Sequence, residues 1–131
     1  MISNSGEVYV YNKTRETFVA TEAQVADSYF TRLVGLLGKG KRWAQLGNGL
    51  WIVPSSGVHT FGMMFPIDLI FLGKHKEVVH VEEHVRPFRL KVLLKATSVL
   101  EVPVHTIFRS RTQIGDQLEI ARLKKAQVSA G

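Results

Sequence analysis

Short apolar runs and alternations of apolar with polar residues recur along most of the chain, and both patterns are typical of β-strands. In chain order, the predicted strands cover residues 8–11, 18–20, 50–53, 58–61, 67–72, 77–85, 96–102 and 117–122. Turn residues at 73–76 separate the fifth strand from the sixth, which predicts a β-hairpin over residues 67–85. Strands therefore dominate the predicted secondary structure.

Helical periodicity is clear at one place, residues 26–37. The apolar positions there have helical spacing, and Gly38 follows where a helix commonly ends in a left-handed residue. A second, shorter helix is predicted within residues 103–109. The fold class predicted from the pattern is α+β, mainly β with a small helical part.

The chain has 131 residues, of which 45% are hydrophobic and 21% are charged, and this composition predicts one soluble domain over residues 1–131 with a flexible tail at 124–131. No apolar run approaches the roughly 18 residues of a membrane span and no secretion signal is evident, so a cytoplasmic location is the default expectation. The chain has no cysteine, which excludes disulfides, thiolate nucleophiles and cysteine-bound metals.

The net charge of +6 makes an anionic partner worth testing. Four basic residues alternate with apolar ones between positions 86 and 95, without an acidic residue among them: Arg86, Arg89, Lys91 and Lys95. In an extended segment these cations would lie on one side, where a nucleic acid or another polyanion could bind through its phosphates. The alternative is a solvated strand edge whose charges discourage sheet pairing, and this alternative is favoured because a run of charges usually has that role.

Two ionisable residues, His59 and Asp68, stand inside otherwise apolar sequence. The strands predicted to carry them are adjacent, so the pair is expected to meet across the intervening turn. A carboxylate that orients an imidazole suits a general base or a metal site. The alternative is a structural histidine and an aspartate that accepts backbone amides, and the need of buried polar groups for partners favours this alternative. Asp116 is expected to complete a tight turn.

His80, Glu82 and His84 alternate with valines, so on a regular strand all three would project from one face. Two imidazoles and a carboxylate are plausible metal ligands, but positions two apart on a flat strand lie about 6 to 7 Å apart. A solvated strand face is therefore favoured, and the sequence assigns no metal site. The chain also lacks a nucleophile elbow, a phosphate-binding loop and a dinucleotide fingerprint.

Five motifs follow one another in a characteristic order. They are Arg32-Leu33-Val34-Gly35-Leu36-Leu37, Gly49-Leu50-Trp51, the run from His59-Thr60-Phe61-Gly62-Met63 to Phe65-Pro66-Ile67-Asp68-Leu69-Ile70-Phe71-Leu72, Val99-Leu100-Glu101-Val102, and Ile114-Gly115-Asp116-Gln117-Leu118. Together they resemble the signature of the domain-of-unknown-function 192 family (DUF192), over about residues 31–120. The resemblance implies a compact β-barrel or β-sandwich and no particular activity. The chain differs from the commoner form of the motif in having Gly62 where an aromatic residue is usual.

Three functions are compatible with these residues. The leading hypothesis is a small β domain that binds a small molecule in a cleft lined by His59, Asp68, Met63 and Trp51. The rival hypothesis is polyanion or nucleic-acid binding through the four basic residues at 86–95. A weaker third hypothesis is a metal-assisted hydrolase. The sequence specifies no cofactor, no ligand, no oligomeric state and no catalytic residue.

Overall fold

The computed structural model describes residues 6–26, 45–59 and 65–123, and for residue 59 it describes the backbone alone. These residues form nine strands and one short helix. In chain order the elements are β1 (Glu7–Asn12), β2 (Thr17–Ala26), β3 (Asn48–Ile52), β4 (Gly57–His59), β5 (Ile67–Leu72), β6 (Val78–Val85), β7 (Leu90–Val92), β8 (Ser98–Pro103), α1 (Thr106–Ser110) and β9 (Leu118–Arg122). No helix within these ranges is long and apolar enough to cross a membrane.

Seven strands form one sheet in the order β6-β5-β8-β3-β2-β1-β9. Neighbouring strands are antiparallel except β2 and β3, which are parallel. The sheet curls into a half-barrel, and the segments that lead into its two edge strands meet where Glu77 and Gln117 form an antiparallel bridge. A backbone hydrogen bond from Leu118 N to Lys76 O (3.1 Å) extends this contact. The two edges of the sheet are therefore joined at one end.

Apolar clusters pack on both faces of the sheet, so β5 and β8 are buried along their whole length. The first cluster joins both ends of the sheet order to α1, with Val8, Val10, Val19, Ile70, Leu72, Val78, Leu100, Val102, Ile107 and Leu118 among its members. The second cluster, on the other face, includes Leu50, Ile52, Val58, Ile67, Leu69, Phe71, Val85 and Val99. Two-sided burial explains why the sequence of β5 is almost continuously apolar.

β4 and β7 form a separate antiparallel sheet of two strands. Val58 of β4 is buried in the second cluster, and Leu93 packs against the same cluster just beyond β7. The strands approach closely at Gly57, where an added Cβ would lie 2.7 Å from the carbonyl oxygen of Lys91. Gly57 is thus a strand residue at a close backbone approach.

The structure confirms a mainly β fold with a small helical part, and it confirms the hairpin of β5 and β6. β2 is longer than predicted and extends to Ala26, which the helical pattern had assigned to the first residue of a helix. The remainder of that predicted helix, 27–37, and the predicted tail, 124–131, lie outside the described residues. α1 begins at Thr106 because Pro103 still belongs to β8, where it pairs with Ile67.

Candidate anion-binding surface

Asp68 is a buried carboxylate whose two oxygens both accept backbone hydrogen bonds. Oδ1 accepts the N–H of His84 (2.8 Å), and Oδ2 accepts the N–H of Ile107 in the first turn of α1 (3.1 Å). His105, the N-cap residue of α1, makes no side-chain capping bond, so Asp68 satisfies an amide that this short helix leaves unpaired. Asp68 thus accepts backbone amides, as the structural alternative predicted, but the amides come from β6 and α1.

The other residues of the predicted ligand cleft are not brought to Asp68 within the described structure. β5 is hydrogen-bonded to β6 on one side and to β8 on the other, so β4 cannot pair with it; β4 pairs with β7, and His59 lies opposite Leu90. The expectation that His59 and Asp68 lie on adjacent strands is therefore wrong. The side chain of His59 and the whole of Met63 lie outside the described residues.

Trp51, the remaining residue of the predicted cleft, is half-buried in β3 and packs against the first cluster. Within the described structure its indole Nε1 has no hydrogen-bond partner, and the Lys76 ammonium lies 5.9 Å from the ring centroid. The small-molecule cleft stays a prediction.

A β-bulge in β6 separates the three polar residues that were expected to share one face. Near the end of β6, the strand has one residue more than β5 between two paired positions, and His84 there has a positive φ of 55°. The extra residue turns His84 away from the face that carries His80 and Glu82, so the expectation is wrong for His84. In residues 6–26, 45–59 and 65–123, no group of three or more potential ligands could hold a metal ion.

Three of the four predicted anion-binding residues line one groove of about 250 Å³, at the turn from β6 to β7. We call this the basic groove; it is lined by Glu82, Glu83, His84, Val85, Arg86, Arg89 and Lys91. Arg86 and Arg89 are exposed, whereas Lys91 is partly buried and its Nζ lies 3.2 Å from Glu82 Oε2. Lys95 is exposed beyond the end of β7 and is not among the lining residues.

The same segment carries exposed apolar side chains that were not among the predicted site residues. We call them the apolar row: Phe88 (68% exposed), Leu90 (67%), Val92 (57%) and Leu94 (87%). Lys91 pairs with the buried Val58, so the two share the core side of the small sheet, and the residues on either side of Lys91 face away from the core. β7 thus exposes its aliphatic residues and turns its lysine inward, the reverse of the usual arrangement. The recurrence of apolar residues at positions 88, 90, 92 and 94 was the sequence signal that could have identified this row.

Other basic residues in the described structure do not join this groove. Arg109 donates to the carbonyl oxygen of Val19 (3.5 Å) and Arg111 to that of Arg15 (3.1 Å), so both lie against β2 and the β1–β2 turn. Arg122 belongs to β9, at the opposite end of the sheet order from β6. The cations of the groove therefore form a local cluster.

Glu101 is a second acidic residue in the core that sequence reasoning missed. It is completely buried in β8, opposite Leu50 of β3 and Leu69 of β5, which both belong to the second cluster. Glu101 lies inside the apolar run at 99–102, just as Asp68 lies inside the apolar run that made it a candidate. A carboxylate in a buried strand should be considered wherever the apolar run contains one.

The chain is similar in sequence to a known family and to several of its members. A model of the DUF192 family, described as Uncharacterized ACR, matches residues 10–120. A UPF0127 protein of Thermococcus sibiricus is 32% identical over 115 residues, which cover 82% of this chain and 71% of that protein. A UPF0127 protein of Pyrococcus furiosus is 29% identical over 118 residues, with 86% of this chain and 97% of that protein covered.

Two solved structures resemble the chain in fold. A protein of unknown function from Novosphingobium aromaticivorans has a TM-score of 0.68 at 18% identity. The match covers 88% of this chain and 84% of that protein's chain. A Sinorhizobium meliloti protein, proposed to be a transcription regulator, has a TM-score of 0.70 at 17% identity, with 88% of this chain and 92% of its own covered. At these identities the likeness shows the shared fold alone.

Proposed function

The chain belongs to the DUF192 family, whose description assigns no activity, and we propose from its surface that it binds anionic partners through the basic groove. The observation that carries the proposal is the gathering of Arg86, Arg89 and Lys91 around one groove at the β6–β7 turn. Arginine presents several N–H donors in a fixed plane that suits phosphate, sulfate and carboxylate groups.

The three cations of the groove differ in their exposure. Glu82 is engaged by Lys91 at 3.2 Å, and this partly buried pair fixes the β7 strand against β6. Arg86 and Arg89 lie on the turn itself and are more exposed than Lys91. We therefore assign contact with the anion mainly to the two arginines, with Lys95 adding long-range attraction and Lys91 acting as a positioning residue.

Retention on an immobilised polyanion tests the proposal. The wild type should bind heparin and elute only as salt is raised, because exposed charges are screened at high ionic strength. Arg86→Glu/Arg89→Glu should elute at clearly lower salt. The matched control, Lys13→Glu/Lys74→Glu, makes the same change in net charge at two exposed residues in other turns, and it should elute close to the wild type. Equal losses in the two double variants would show that net charge alone causes retention and would overturn the proposal.

A further inference from the structure

We infer that the anionic partner of the basic groove is the surface of a phospholipid bilayer, into whose headgroup region the apolar row inserts. This inference rests on the proposed function, because it needs the groove to attract anions. To the electrostatic contact made by the groove it adds an apolar contact made by the apolar row.

The apolar row is a structural consequence of how β7 packs. Because Lys91 is held on the core side by Glu82 and by its pairing with Val58, Leu90 and Val92 must face solvent. Phe88, at the β6–β7 turn, has a positive φ of 64°, a conformation that is unfavourable for an aromatic residue. A conformation of this kind persists only where the surrounding structure imposes it, and here it accompanies a ring that is 68% exposed.

Cations stand at both ends of the apolar row. Arg86 and Arg89 flank Phe88 at the turn, and Lys95 follows Leu94 at the other end. Apolar residues that enter a bilayer interface are typically bordered by lysine and arginine, whose aliphatic stems lie along the apolar zone while the charges reach the phosphates. Each such cation near an anionic leaflet adds to the attraction. The charge complementarity therefore selects a bilayer that carries anionic lipid.

A nucleic acid fits the row less well. Proteins that bind single strands use aromatic rings, on which bases stack, whereas three of the four side chains here are aliphatic. A duplex contacted through its phosphates would leave these aliphatic side chains in water. The bilayer interface satisfies both the cations and the apolar row.

Vesicle co-sedimentation tests the inference, with phosphatidylcholine vesicles that contain phosphatidylglycerol and with phosphatidylcholine vesicles alone. The wild type should partition to the anionic vesicles and much more weakly to the neutral ones. Leu90→Ser/Val92→Ser should lower the partition coefficient about tenfold, because two apolar side chains are withdrawn from the interface. It should still elute from heparin like the wild type, since its charges are unchanged.

A matched control uses exposed apolar residues outside the row. Phe108→Ser/Ile114→Ser removes side chains that are 80% and 62% exposed, and it should partition like the wild type. Circular dichroism and the melting temperature verify that each variant is folded.

The outcomes separate the two proposals. Retention on heparin without preference for anionic vesicles would overturn the bilayer inference and leave the proposed function intact. A wild type that is neither retained on heparin nor bound to anionic vesicles would overturn both the proposed function and the bilayer inference. Binding to duplex DNA that Leu90→Ser/Val92→Ser does not weaken, with no vesicle binding, would identify a nucleic acid as the partner and would also overturn the inference.

Discussion

At the scale of single residues, Asp116 shows how one buried carboxylate organises a turn. Asp116 N donates to Gln113 O (3.1 Å), which confirms the tight turn predicted from sequence. Its Oδ2 accepts hydrogen bonds from Asn12 Nδ2 (2.9 Å), Arg15 Nε (3.0 Å) and Gln113 N (2.9 Å). Burial raises the pKa of the Asp116 carboxyl, but the hydrogen bonds from Arg15 and Asn12 outweigh it and hold the pKa below its usual value.

We expect Asp116→Asn to lower the free energy of unfolding by about 2 kcal/mol at neutral pH, because a neutral amide replaces a charged acceptor of three hydrogen bonds. Since the folded-state pKa lies below the unfolded value of 3.8, the stabilisation is complete well above that pH and is lost as the pH falls through the folded-state pKa. Urea unfolding between pH 7 and pH 2 should show the wild type and the variant converging below about pH 3.8. A difference that stays constant over this range would contradict the assignment; Glu22→Gln, at an exposed carboxylate, is the control.

At the scale of elements, α1 depends on a residue from another strand. A helix of five residues has little stability in isolation, and α1 has no acidic residue in its first turn. Asp68 provides the missing acceptor for Ile107 and also fixes the bulge at His84. One carboxylate in β5 therefore positions both α1 and the end of β6, which leads into the basic groove.

Two substitutions at Asp68 should differ in a graded way. Asp68→Ala should cost about 3 kcal/mol because the buried amide of Ile107 and the partly buried amide of His84 lose their acceptor, and Asp68→Asn should cost less because its amide oxygen still accepts one bond. Hydrogen exchange should become faster at the amides of both His84 and Ile107 in Asp68→Ala, and at one of the two in Asp68→Asn. Unchanged protection at both amides would refute a structural role and revive the ligand-site hypothesis for Asp68.

Gly57→Ala tests the close approach of β4 and β7. The added methyl group would meet the Lys91 carbonyl at 2.7 Å, so the strands must separate, at a cost of about 1–3 kcal/mol. The amide of Leu93, which donates to Ser56 O (2.8 Å), should lose exchange protection. If the inference about the apolar row is correct, this variant should also bind anionic vesicles less well, because β7 presents that row. Wild-type protection at Leu93 would show that the approach is not restrictive.

At the scale of the whole molecule, the contact between the two ends of the sheet links residues that are far apart in sequence. Leu118 of β9 and Val78 of β6 are buried in the same cluster, and the bridge of Glu77 with Gln117 lies beside them. The sheet edges are thus protected from further pairing at this end. The basic groove lies at the opposite end of β6, away from the joined edges.

Leu118→Ala should lower the free energy of unfolding by about 2–4 kcal/mol, the usual cost of a large-to-small change in a core. Because the two edges are joined, hydrogen exchange should become faster at Val78 and Gly115 as well as in β9. Exchange that increases in β9 alone would mean that the joined edges do not act as a unit.

The sequence by itself determined the strand-rich pattern, the β5–β6 hairpin, a short helix within residues 103–109 that overlaps the observed α1, and the family. These features depend on side-chain periodicity, turn residues and motif order, which are local properties. Only the tertiary structure decided which strand β4 pairs with, that a bulge turns His84 away, and that Asp68 accepts amides from β6 and α1. It also decided that β7 exposes its apolar row, because that orientation depends on an ion pair with Glu82 and on pairing with β4. Contacts between distant segments leave no periodic signal in the chain, so a sequence pattern cannot specify them.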